Sequence, residues 1–123
     1  MPKHVLDVGQ CAPDHQAICS FLDQHFHVKI TQTDGPEDTL AELRSGRYDL
    51  VLINRKLDCD YSDGLEIIQQ IKADAAIAEV AVMLVTNLAE HQDLAVAAGA
   101  ERGFGKLEYD KPETVDRLRT FLA

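Results

Sequence analysis

Two stretches of this chain leave little freedom in how it can fold. Leu50-Val51-Leu52-Ile53 and Val80-Ala81-Val82-Met83-Leu84-Val85 are apolar at every position. Each is short for a buried helix, and neither alternates as a strand with one wet face would. Short runs with no polar side read as strands buried on both faces. Such strands belong to a parallel sheet, because the crossovers that join parallel neighbours lay helices over both of its faces.

The remaining sequence fits that reading. His4–Val8 and Val28–Thr31 read as two further strands, and Gly103-Phe104-Gly105 as a short last one. Between them lie segments with helical stripes. Pro13-Asp14 opens a helix carrying Ala17, Ile18, Phe21 and Leu22. Pro36 suits the first turn of a second, with Leu40, Ala41 and Leu43, ended by Ser45-Gly46. Gly64 precedes a third with Leu65, Ile67, Ile68 and Ile71. Leu88–Ala98 is an Ala-rich fourth, ended by Gly99. Asp110 is expected to cap a fifth, with Pro112 in its first turn and Glu113 completing a capping box. Strands alternating with helices imply a doubly wound α/β fold with right-handed crossovers. The 123 residues fit one domain, 1–123. Ligands of such sheets bind beyond the carboxyl ends of the strands. That directs attention to Gly9-Gln10, Asn54, Thr86-Asn87 and Lys106.

Charge narrows the function. Twelve basic against 21 acidic residues give a formal net charge of −9. Such a surface repels phosphate backbones and anionic lipid, so direct nucleic-acid or membrane binding is not expected. No apolar run approaches the ~20 residues of a membrane helix, and the start resembles no signal peptide. Three cysteines, Cys11, Cys19 and Cys59, show no CxxC spacing and fit reduced thiols in a cytoplasmic protein.

Four stretches, in order, resemble a response-regulator receiver domain of two-component signalling. They are Ser45-Gly46-Arg47-Tyr48-Asp49-Leu50-Val51-Leu52, Asp63-Gly64-Leu65-Glu66-Ile67-Ile68, Val82-Met83-Leu84-Val85-Thr86, and Ala98-Gly99-Ala100 followed by Lys106. The resemblance covers nearly the whole chain and implies a flavodoxin-like sheet of five parallel strands in the order 2-1-3-4-5, with five helices. It also implies a phosphoryl-accepting site. An aspartate after the third strand would be the nucleophile and an acidic pair after the first would hold Mg²⁺. A hydroxyl after the fourth strand and a lysine after the fifth would contact the phosphoryl oxygens.

Matched position by position, Thr86 and Lys106 stand at the hydroxyl and lysine positions. The acidic pair aligns with Gly9 and Gln10, and the nucleophile with Asn54. None of these is a carboxylate. The aromatic-switch position aligns with Gly103, and Leu107 replaces the usual proline after the lysine, which implies an ordinary trans peptide there. Asn54 and Gly64 stand ten positions apart, a longer span than the family usually shows. The expectation is therefore a pseudo-receiver that does not take phosphate at the usual site, with no catalytic residue, metal or cofactor. It would act by binding a protein: a kinase, an output domain or a second receiver-like chain. A homodimer through the face of the fourth helix, fifth strand and fifth helix is one form of this.

Rival readings remain open at this stage. A substitute aspartate, Asp58, could accept phosphate with Asp7 helping to hold Mg²⁺. Asp7 itself is unusual inside an apolar strand, and is expected to pair with Lys3, Lys106 or a backbone N–H. Lys106 is expected to pair with Asn54 or a loop aspartate. Thr86 reads first as a β-branched strand end. Cys11, His15 and Cys19 would share a face if the first helix reached back to Cys11, which could make a metal or redox site. Asp58, Asp60 and Asp63 lack calcium-loop spacing and read as a solvated loop. His25 and His27 read as surface residues. No hydroxyl-rich phosphate loop follows the first strand, so flavin is not expected.

Overall fold

The computed structural model describes residues 1–123. Its elements are β1 (Lys3–Val8), α1 (Ala12–His25), β2 (Val28–Thr33), α2 (Pro36–Ser45), β3 (Leu50–Asn54), α3 (Gly64–Ala73), β4 (Val82–Val85), α4 (Ala89–Ala97), β5 (Glu101–Phe104) and α5 (Pro112–Leu122). The strands form one parallel sheet in the order β2-β1-β3-β4-β5. The reversal at β1 leaves a crevice between β1 and β3 at their carboxyl ends.

The apolar runs work as expected. Successive side chains point to opposite faces of a strand. Leu50 and Leu52 pack with Ile18, Phe21 and Leu22 of α1 and Leu118 and Leu122 of α5. Val51 and Ile53 pack with Leu43 of α2, Ile67, Ile68 and Ile71 of α3 and Ala95 of α4. All four β3 side chains from Leu50 to Ile53 are fully buried. The same alternation puts Asp7 on the α1 face with Val5. No helix is long and apolar enough to cross a membrane.

Several boundaries differ from expectation. The strand at Val80 begins at Val82, and the last strand is Glu101–Phe104 instead of Gly103–Gly105. The N-cap of α5 is Lys111, not Asp110, and no side chain caps it. Pro112 is the reason: it forces the preceding residue into extended backbone, so Lys111 cannot be helical. In α1 the Cys11 carbonyl already accepts from the His15 N–H at 2.9 Å. The helix therefore starts at Ala12, and Pro13 sits in its first turn without breaking a bond. No peptide bond is cis, that of Lys106–Leu107 included.

Candidate functional site

The positions singled out in the sequence do meet at the carboxyl edge of the sheet, but their side chains are used otherwise than a phosphate site requires. Gly9 follows β1 with φ +79°, a conformation costly to any residue with a Cβ. Its carbonyl accepts from the Asp58 N–H at 2.9 Å and from Asn54 Nδ2 at 3.4 Å. Asn54 Nδ2 also donates to the Lys56 carbonyl at 2.8 Å. The amide thus ties the β3–α3 loop to the end of β1, a task that needs N–H donors and that a carboxylate could not perform.

The long loop from Arg55 to Asp63 folds back over this crevice. Its one aliphatic side chain, Leu57, is buried within the core beneath α3. A Cβ placed on Gly9 would lie 2.5 Å from Leu57 Cδ2 and 3.3 Å from its Cα. The space beside the aligned acidic position is therefore filled by hydrocarbon. Asp60 accepts from Ser62 and Asp63 caps α3 at the Leu65 N–H, so both are occupied locally. No three His, Cys, Asp or Glu side chains group as metal donors. The residues at the aligned positions do not fit Mg²⁺, since Gly9, Gln10 and Asn54 bring no charge and Leu57 excludes water from one side.

Lys106 pairs with neither Asn54 nor a loop aspartate. Its Nζ donates to Asp14 Oδ2 at 2.7 Å, from the far side of the chain onto the first turn of α1. This bond holds the Asp14 carboxyl below its usual range. Asp7 likewise pairs with none of its expected partners. It is fully buried, and its Oδ2 lies 2.6 Å from His15 Nδ1. Burial pushes the Asp7 carboxyl up, and the hydrogen bond and charge of His15 pull it partly back. Its Oδ1 has no partner. Gln10 is buried beside it, close enough to favour the charged carboxylate but without hydrogen-bond geometry, and both its amide atoms are unpartnered. Tyr109 stacks on Phe21, and burial followed by the charges of Asp7 and Asp14 pushes its hydroxyl up to about 12.

At the other end of the edge, Thr86 Oγ1 accepts from the Leu88 N–H at 3.3 Å. Gly103 leaves no room for a side chain, since an added Cβ would collide with the Leu84 carbonyl. Phe104 is fully buried in the α1–α5 core. Gln92 of α4, not foreseen in the sequence, is buried and joins three elements. Its Nε2 donates to the carbonyls of Leu84 (2.9 Å) and Thr86 (3.2 Å), and its Oε1 accepts from the Gly103 N–H at 2.8 Å.

No protein-family model matches the chain. Solved structures do. The response regulator receiver protein from Pseudomonas putida superposes with a TM-score of 0.77 at 18% identity, over 98% of both chains. The chemotaxis response regulator CheY4 of Vibrio cholerae gives 0.76 at 17% identity, over 99% of this chain and 100% of that one. The receiver domain of sensor histidine kinase PA1611 from Pseudomonas aeruginosa, solved with magnesium coordinated in its active-site cleft, gives 0.71 at 18% identity, over 98% and 93%. Order of strands, number of helices and near-complete mutual coverage agree, and this chain has the flavodoxin-like fold of the response-regulator receiver domains.

Proposed function

We propose that residues 1–123 act as one receiver-like signalling domain of two-component type that is not switched by phosphate at the usual site. It is a cytoplasmic, non-enzymatic module and works by binding a protein partner. The observation that carries this is Leu57, buried against Gly9 where an acidic side chain and its cation would need room. Asn54, at the nucleophile position, spends its amide protons on two backbone carbonyls. Gly9, Gln10, Asn54, Thr86 and Lys106 are on this reading the remains of a phosphate site, and Gly103 the remains of its aromatic switch. The partner surface is the face of α4, β5 and α5, where Leu88, Leu94, Val96 and Leu107 are exposed apolar residues. The occupant is a kinase, an output domain or a second copy of this chain.

The test is exposure to acetyl phosphate or beryllofluoride with millimolar Mg²⁺. The expected result is an unmodified mass and an unshifted melting temperature, because a ligand stabilises only by binding the native state. A stoichiometric, hydroxylamine-labile phosphate would overturn the proposal. Its site would then be sought at Asp58, which is exposed and whose N–H bonds to the Gly9 carbonyl at the same edge of the sheet.

A further inference from the structure

Cys19, His15 and Asp7 stand in a line. Cys19 Sγ lies 3.5 Å from His15 Nε2, and His15 Nδ1 lies 2.6 Å from Asp7 Oδ2. The first pair is one helical turn apart on α1, where such side chains are neighbours. Asp7 comes from β1 beneath and is fully buried, with its second oxygen unpartnered. With Asp7 as carboxylate, Nδ1 must carry the imidazole proton, which leaves the Nε2 lone pair facing the thiol. A nucleophile, an adjacent base and a third group that orients the base are the elements of an activated side chain. The His15 side chain is 20% exposed and Cys19 is partly exposed, so small molecules reach them.

We propose that Cys19 is a site of oxidation by peroxides, with His15 as its base and Asp7 as the residue that positions His15. The thiol sulfur attacks one peroxide oxygen and the O–O bond breaks. The thiol proton passes to Nε2 and then to the departing oxygen. Sulfur loses two electrons and becomes a sulfenic acid, and hydrogen peroxide is reduced to water. Burial, with the charges of Asp7 and Asp23, pushes the Cys19 thiol up. The thiol is therefore not ionised in advance, and its reactivity depends on proton transfer to His15 during the attack. Oxidation would place an oxygen between Sγ and Nε2, disturbing the bond that offsets the buried Asp7 charge. A surface thiol event would thereby reach β1.

Cys11 and Cys59 in the same molecule are internal controls, since neither has a hydrogen bond to a histidine. The experiment treats the intact protein with hydrogen peroxide, traps sulfenic acid with dimedone and measures each cysteine by mass spectrometry. Cys19 is expected to react at least about tenfold faster than the exposed Cys59, and His15→Gln to remove that advantage while leaving Cys59 unchanged. Circular dichroism confirms the fold of the variant. Asp7→Asn, which keeps a hydrogen-bond acceptor for Nδ1–H but not its charge, is expected to fall between the two. A Cys19 rate at or below that of Cys59, or a Cys19 rate unaffected by His15→Gln, would overturn the proposal.

Discussion

Restoring an acidic residue after β1 is the obvious way to revive a phosphate site, and the structure predicts that it fails at Gly9 for reasons of shape. Gly9 sits at φ +79°. An L-residue in the left-handed region costs about 1–2 kcal/mol. The new Cβ would also meet Leu57, at 2.5 Å from Cδ2 and 3.3 Å from Cα. The Cδ2 can swing away, but the Cα belongs to a loop whose backbone is bonded to Gly9 through the Asp58 N–H. Overpacking of this kind costs about 1–3 kcal/mol. Gly9→Ala is therefore expected to lose about 2–4 kcal/mol, a large part of the ~5–15 kcal/mol that holds a domain folded. Gly9→Asp adds a charge against apolar surface and should lose at least as much.

A double-mutant cycle separates strain from crowding. Leu57→Ala alone should cost about 2–5 kcal/mol, because Leu57 is buried in the main core. In Gly9→Ala/Leu57→Ala the collision disappears and the backbone strain remains. The combined loss should fall short of the sum by about 1–2 kcal/mol. Urea denaturation at constant m-value reads these differences. A Gly9→Ala loss under about 0.5 kcal/mol, or additivity within that margin, would refute the account of Leu57 as the plug of the crevice.

Asn54→Asp should destabilise by about 1–3 kcal/mol, since the carboxylate would face the Gly9 and Lys56 carbonyls, and urea titration at pH 4 should show a smaller loss than at pH 7. Asp7 is raised by burial, so its contribution is full below the unfolded value and is lost as pH rises through the folded one; Asp7→Asn should be more stable than the parent at pH 8, with the gap closing near ~pH 3. Asp14 is depressed by Lys106, so that pair contributes above the unfolded value and is lost as pH falls through the folded one; Lys106→Ala should cost under about 1 kcal/mol at pH 7, both groups being partly exposed, and nothing below ~pH 3, as thermal melts would show. Gln92→Leu leaves the Gly103 N–H and two carbonyls without their partner and should cost about 1–3 kcal/mol by urea denaturation.

The sheet was legible because its evidence is repeated at every level. Two all-apolar runs, five helical stripes and turn residues between them admit one architecture, and each buried stripe lies where its period puts it. The site was legible only as positions. Asp7 could be seen to need a partner, but His15 was overlooked. Counting back from Ile18 and Leu22 by three and seven reaches His15, so the stripe itself placed it on the inward face. Leu57 was a similar signal, a lone leucine in a polar loop. Gln92 precedes the buried Ala95 by three, but an Ala-rich helix gives a weak pattern. The Lys106–Asp14 bond joins residues 92 positions apart on exposed chain, and no local period encodes such a pair.

The same local bonds decide how the far surface behaves. Phosphate-driven signalling in the receiver plan requires movement to pass from the hydroxyl after β4 to an aromatic side chain on β5. Here Thr86 gives its oxygen to the Leu88 N–H, and Gly103 has no side chain to move. Gln92 binds α4 to both strands through buried hydrogen bonds, and Arg117 of α5 donates to the Gly103 carbonyl at 3.0 Å. Buried hydrogen bonds are costly to leave unmade, so this set favours one arrangement over a pair of interchangeable ones. On the proposed function, the face of α4, β5 and α5 is then permanently presented, and its affinity for a partner is set by sequence. Control, where it exists, enters from the other side of the sheet, through α1 and the buried end of β1.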